Sequence, residues 1–284
     1  MKRIFLLITA ITLFISCETD VTDEIMLNGE TPRLVMEGGI ERNTNAPLST
    51  QKIQLTTTIG FLDEGQPEPV ENAIVNINDG QSDYEFTHTQ DGIYLNEDIP
   101  AELNRTYTIT IQWNGETYTG SDTLNEVAPF DDVYSEFEEE TLITEEGYFV
   151  KFDSTDSINV ENYYYYRAFR NGEFIIVPDP GNSATLVESD EFFDGQQRFG
   201  VNPNEEVIYE IGDTAIVQQL GISEEYHNYL LQLFEQTGNQ IPIIGNPPPA
   251  SIRSNVVNIT APGNRILGFF YAADVEQESL IITE

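Results

Sequence analysis

The stretch TYTITIQWNGETYT, residues 106–119, alternates Tyr107, Ile109, Ile111 and Trp113 with Thr106, Thr108, Thr110 and Gln112. A period of two puts the apolar set on one face of a strand and the threonines on the other. On a helical period the same apolar residues would scatter around the cylinder. Asn114-Gly115 follows at once. Both residue types tolerate positive φ, which a two-residue hairpin turn demands, so Glu116–Thr119 must run back antiparallel.

The pattern extends outward from this hairpin. Ile53, Leu55, Thr57, Ile59 and Phe61 share one face, as do Ala73, Val75 and Ile77, then Tyr84, Phe86 and His88. Asn78-Asp79-Gly80 and Asp91-Gly92 are turn signals between them. Residues 33–124 should therefore hold roughly six or seven short strands in an immunoglobulin-like or transthyretin-like β-sandwich. Trp113 reads as a core or rim packing residue. Residues 125–132 carry Pro129 and acids and read as a linker.

Residues 133–284 read as a second β-rich domain. Tyr148, Val150 and Phe152 alternate, and Tyr163 to Phe169 form an aromatic strand that turns at Asn171-Gly172 into Phe174–Val177. Pro178–Asn204, rich in Gly, Asp, Asn and Pro, reads as an excursion. Val207, Tyr209 and Ile211 alternate, followed by Ile216, Gln218 and Leu220. One amphipathic helix is expected near 223–237: Ser223 caps it, Glu224 and Glu225 suit its positive end, and Tyr226, Tyr229, Leu230, Leu233 and Phe234 share a face. Ile241–Ala250, with four prolines, reads as an extended loop, and Asn255–Ile259 and Arg265–Ala272 as closing strands. The fold class is all-β (mainly β) with a single helix.

The amino terminus carries a different signal. Lys2 and Arg3 precede the apolar run Ile4–Ile15. That run is shorter than the roughly 20 residues a membrane span needs and fits the about 7–15 of a signal-peptide core. Phe14-Ile15-Ser16-Cys17 resembles a bacterial lipobox, with Leu13 one place earlier than usual. Residues 1–16 are thus expected to be removed by cleavage between Ser16 and Cys17. The chain's one cysteine would then carry acyl chains into a lipid bilayer, each buried CH₂ contributing about 0.8 kcal/mol. Residues 17–32, with Glu18, Asp20, Asp23 and Glu24, read as a lipidated tether.

Composition narrows the chemistry. The net charge of −37 repels nucleic acid, which is not expected as a partner. A lipidated Cys17 leaves no thiol for a disulfide or a cysteine zinc site. His88 and His227 stand far apart, and neither a His-Glu-x-x-His pair nor a phosphate loop is present. Glu225 stands where a nucleophile elbow around Ser223 would need glycine. Asp153–Ser157 has the look of a calcium loop, but Ile158 and Tyr164 occupy positions an EF-hand gives to glycine and glutamate. No catalytic residue, metal site or cofactor is expected.

Two surface features remain. Tyr163, Tyr164, Tyr165 and Tyr166 divide between two faces of a strand. One pair belongs to a core. The other, with Trp113, is a candidate ligand or interface surface, for instance for stacking on a sugar. Four Asp-Ser/Thr-apolar triplets, at Thr123, Ser154, Ser157 and Thr214, resemble O-glycosylation sites of Bacteroidota.

The order of these features is similar to that of a Bacteroidota lipoprotein family known as domain-of-unknown-function family 4249. Leu34–Ile40 resembles its opening strand, Pro69–Asn78 its Ala-x-Val strand, and Asp91-Gly92-Ile93-Tyr94 its Gly-x-Tyr turn. Tyr163–Gly172 resembles its Tyr-Tyr strand, Tyr226–Phe234 its helix, and Pro248–Val256 with Leu267–Phe270 its closing segment. The resemblance implies no established activity. It does imply a lipid-anchored outer-membrane protein whose partner is an outer-membrane β-barrel such as a TonB-dependent transporter, and Glu18, Asp20, Asp23 and Glu24 after Cys17 resemble a Bacteroidota signal for export to the cell surface. The leading expectation is a non-enzymatic accessory subunit of such a complex. A surface glycan-binding module and a carboxylate-based hydrolase are the rivals, with a fimbrial subunit behind them.

Overall fold

The computed structural model describes residues 32–44, 50–60, 65–141, 145–175, 186–204, 207–238 and 252–283. The signal segment, Ser16, Cys17, the tether to residue 31, Phe61, the first part of the Pro178–Asn204 excursion and the 241–250 loop lie outside them. Among the described residues there are sixteen strands and one α-helix, so the fold is all-β.

The opening hairpin forms as its sequence dictates. β6 (Thr106–Trp113) and β7 (Glu116–Thr123) pair from Thr106 with Thr123 to Trp113 with Glu116 without a slip. Asn114 and Gly115 sit at φ of 49° and 79°, the positive values that let the turn match the twist of its strands. β1 (Leu34–Asn43), β2 (Gln51–Thr57), β5 (Ile93–Asn96), β4 (Asp83–His88), β3 (Ile74–Asn78), β6 and β7 then follow one another across the sheet. β4 meets β5 through Thr87 and His88 alone and meets β3 through Asp83–Phe86. It therefore passes the ladder from one layer to the next. Both layers close on one core that includes Met36, Ile53, Val75, Ile77, Tyr107, Ile109 and Ile111, all fully buried.

The second half has three layers. β8 (Phe130–Glu138), β9 (Gly147–Thr155) and β13 (Gln197–Val201) form a small sheet. Its Phe152 packs with Tyr164, Tyr166 and Val217 of β10 (Tyr163–Arg170) and β14 (Thr214–Ile222). β11 (Glu173–Ile175) and β12 (Val187–Ser189) pair with β10. The opposite face of β10 and β14 is covered by α1 (Glu224–Gly238) through Tyr226, Leu230 and Phe234.

One strand joins the halves. In β16 (Leu267–Ile281), residues 267–275 pair in parallel with β1 and residues 274–281 pair antiparallel with β14. β15 (Val257–Asn258) adds to the edge of β7. The end of the chain thus completes the sheet begun by its first strands.

Several local expectations are corrected. Residues 125–132 form a packed seam instead of an open linker. Val127 N–H donates to Asp274 Oδ2 at 3.3 Å, Gln219 Nε2 donates to the Ala128 carbonyl at 2.7 Å, and Phe130 already opens β8. The partners lie 147 and 91 residues away, beyond the reach of any local pattern. The excursion Pro178–Asn204 contains β12 and β13. Val207–Ile211 forms no named strand, and only Tyr209 bridges, to Tyr148. β16 runs nine residues past the expected Ala272, to Ile281, because Asp274, Glu276 and Glu278 disguise it as solvated chain.

Gly39 and Gly268 mark where β1 and β16 lie closest. A Cβ on Gly39 would overlap the Tyr271 carbonyl, and one on Gly268 the Met36 carbonyl. Gly39→Ala should destabilise the protein by about 1–3 kcal/mol or more, read as a lower denaturant midpoint. An unchanged midpoint would contradict this contact.

Candidate functional site

A cavity of about 790 Å³ opens between the sheet and the helix. β1, β2, β10 and β16 supply its floor, and Tyr226, Tyr229, Leu230 and Leu233 of α1 supply a wall. Gly38, Gly39 and Gly268 line it, each where a Cβ would overlap a neighbouring strand's carbonyl. The helix is held by its cap: Tyr226 N–H donates to Ser223 Oγ at 3.2 Å.

The wall is aromatic. Tyr226 and Tyr271 stack at 4.7 Å with planes 2° apart, and Phe269 lies 5.1 Å from both Tyr226 and Tyr229. Beside this stack lies an ion pair. Arg167 Nη1 and Nη2 reach the two oxygens of Glu41 at 2.9 and 3.2 Å, and Tyr271 Oη donates to Glu41 Oε1 at 2.7 Å. Gln51 Oε1 accepts from Glu41 N–H and Gln51 Nε2 donates to the Glu41 carbonyl, both at 2.8 Å.

Burial pushes the Glu41 carboxyl up, but the Arg167 charge and the hydrogen bonds from Arg167 and Tyr271 outweigh it, so the group sits below the usual carboxylate range. Burial holds the Tyr226 and Tyr271 hydroxyls well above the ordinary phenol value. Arg167 Nε is buried with no acceptor. The cavity therefore presents aromatic surface and a fixed ion pair. That set suits a small amphipathic molecule.

The residues singled out by sequence fall elsewhere. Tyr164 and Tyr166 are buried between β10 and the small sheet, where Tyr166 Oη donates to Glu188 Oε2 at 2.7 Å and Arg198 Nη1 donates to Tyr166 Oη at 2.9 Å. The Arg198 guanidinium lies over Phe193, Tyr164 and Phe152, a cation–π cluster that fixes both tyrosines as core. Tyr165 is buried under α1, and Tyr163 is half-buried against His227 at 5.2 Å. The strand is covered on both faces, so it presents no open stacking platform. Trp113 lies in the other half, packed against the first core with its indole N–H on Asn72 Oδ1 at 3.2 Å. Of the triplets, Ser154 is fully buried beside Arg198, Thr123 and Thr214 are half-buried on strands, and Ser157 is exposed.

A second cleft, of about 510 Å³, lies at the start of α1 and gathers Asp122, Glu161, Glu224 and Glu225. Burial raises the Asp122 carboxyl to about 6. Its oxygens accept from the Ala272 and Thr123 amides at 3.0 and 2.9 Å. They hold β7 to β16, which is a structural task.

Residues 17–279 match the family model described as Domain of unknown function (DUF4249). The chain belongs to this family. No curated protein matches it. Within this DUF4249 chain, sequence reading missed Glu41, Gln51, Arg167 and Tyr271 as a group. The usable signal was glycine inside strands at Gly38-Gly39 and Gly268, which marks close backbone approach or a ligand.

Replacing Arg167 with Met tests the ion pair. At pH 7 the loss should be about 1–3 kcal/mol, because Glu41 stays charged without its partner. Wild-type Glu41 has a lowered pKa, so its stabilisation is present above the unfolded value and is lost as pH falls through the folded one. In the variant only the Tyr271 hydrogen bond and the Lys52 charge still oppose burial, so that pKa rises from its wild-type position. The gap between the two proteins should therefore narrow as pH falls toward about 4. A gap in the unfolding midpoint that does not change with pH would contradict this account.

Proposed function

We propose that this chain is a non-enzymatic, lipid-anchored binding subunit at the outer membrane of a Bacteroidota cell, an accessory to a β-barrel such as a TonB-dependent transporter. The observation that carries the reading is the cavity between α1 and the sheet. Its volume of about 790 Å³ lies inside the about 300–1,000 Å³ usual for small-molecule sites. Its aromatic stack and ion pair are preorganised by the sheet.

The anchoring part rests on the lipobox at Phe14–Cys17 and on the family match beginning at Cys17. The non-enzymatic part rests on how the carboxylates are engaged. Glu41 is tied by Arg167 and Tyr271, and Asp122 by two backbone amides. A glycan is one class of ligand this wall would take: Tyr229, half-buried beside Phe269 at 5.1 Å, supplies an aromatic contact for a pyranose.

The test is purification of the tagged native protein in mild detergent, followed by mass spectrometry of both proteins and small molecules. The expected result is one outer-membrane barrel in stoichiometric amount together with a bound small molecule. Arg167→Met should lose the molecule and keep the barrel, while Cys17→Ala should release the chain from the membrane fraction. Recovery of the protein alone, without barrel or molecule, contradicts the proposal.

A further inference from the structure

The segment after β9 and the turn after β12 bring three carboxylates together. Asp156, Asp190 and Asp194 each place one oxygen within 4.8 Å of the others. Oxygens on opposite sides of a calcium ion are separated by about twice its 2.3–2.6 Å bond length, or roughly 5 Å. Asp156 and Asp190 are buried and Asp194 is exposed. Among the described residues none of the three forms an ion pair. Their hydrogen-bond partners are the Tyr164 hydroxyl and Gly195 N–H on Asp156, Asn162 N–H on Asp190, and Asn159 N–H on Asp194. Three acids held this closely repel one another.

A second observation points to what the cluster holds. Asn162 is 7 % exposed, and its side-chain oxygen Oδ1 is buried with no donor. Just past the last β10–β12 pair, Asp190 N–H donates to the Asn162 carbonyl at 3.1 Å, and Asn162 N–H turns to the Asp190 side chain, 2.9 Å from Oδ2. Asn162 thus lies opposite Asp190. It also stands two residues before Tyr164, so strand alternation turns its side chain to the face on which the Tyr164 hydroxyl meets Asp156. A buried carbonyl oxygen without a donor, on the residue whose own N–H holds Asp190, beside carboxylates without a cation, would be satisfied by a metal ion.

We propose that Asp156, Asp190, Asp194 and the Asn162 side-chain oxygen form a calcium site that pins the 156–162 segment to the 190–195 turn. The donor set is all oxygen, with no imidazole or thiolate, which favours a hard cation. It comes from separate segments and is only partly buried, which suits the flexible coordination of calcium better than the strict octahedron of magnesium. The site is not an EF-hand, as its acids come from residues 34 and 38 positions beyond Asp156. With one ligand exposed, its affinity belongs at the weak end for calcium, about 10⁻⁴–10⁻³ M.

The experiment is thermal unfolding of the whole mature chain with calcium or magnesium at about 10⁻² M, which is above that range. Wild type should gain about 2–5 °C with calcium and clearly less with magnesium. Asp194→Asn alters an exposed ligand and leaves the core intact; it should lose the calcium shift. The charge-matched control Glu139→Gln, on an exposed residue at the other end of the small sheet, should keep it. Terbium luminescence excited through tyrosine should rise saturably in wild type and be competed by calcium. No calcium shift in wild type, or an equal shift in Asp194→Asn, would overturn the site and leave only diffuse screening of an acidic chain.

Discussion

The structure depends on one strand serving two sheets. The first nine residues of β16 run parallel to β1, and its last eight run antiparallel to β14. Its middle is where the halves meet, and Asp274 sits there almost wholly buried. One oxygen of Asp274 takes Arg42 Nη1 at 2.8 Å and the other takes the Val127 amide. Burial raises this carboxyl, with the Val127 amide and Arg42 acting against the shift. A buried acid with both oxygens engaged is costly to disturb, because removing either partner strands a charge. The same few residues therefore fasten β1, β16 and the 125–132 seam.

The main cavity follows from that arrangement. Its floor exists because β1 and β16 lie side by side, close enough at Gly39 and Gly268 that only glycine fits. Glu41 comes from the first half and Arg167 from the second, 126 residues apart, and neither would be neutralised without the shared strand. Tyr271 on β16 joins both by donating to Glu41 and stacking on Tyr226 of α1. The three-carboxylate cluster has another origin, in the loops at the far edge of β10 and β9. It would stiffen the second half and leave the cavity under α1 unchanged.

Much of the fold was legible because local physics determines it. Alternation located β6 and β7, Asn-Gly and Asp-Gly placed the tight turns, and Ser223 with its following acids located α1. What stayed hidden was set by distant partners. Asp274, Glu276 and Glu278 made the second half of β16 look solvated, yet β14 and Arg42 provide its environment. Residues 125–132 looked like a linker because the groups that satisfy them, Asp274 and Gln219, lie far along the chain. The four tyrosines were correctly split between two faces, but covering layers on both sides could not be inferred from one strand. The site residues were less visible still. Glu41, Arg167 and Tyr271 are unremarkable in sequence, and Asp156, Asp190 and Asp194 are three acids among 49. Only topology makes either group a cluster.

β16 couples the two halves into one unit. Trp113 is the only tryptophan and reports on the first core alone. Leu220→Ala removes a fully buried side chain of β14 opposite Val275 of β16, at a cost of about 2–5 kcal/mol. Denaturant unfolding of this variant should be followed by Trp113 fluorescence and by far-ultraviolet circular dichroism. If the halves unfold as one, a single transition is expected in which both signals shift together to a lower midpoint. A Trp113 midpoint equal to that of wild type, with the dichroism transition split in two, would contradict it.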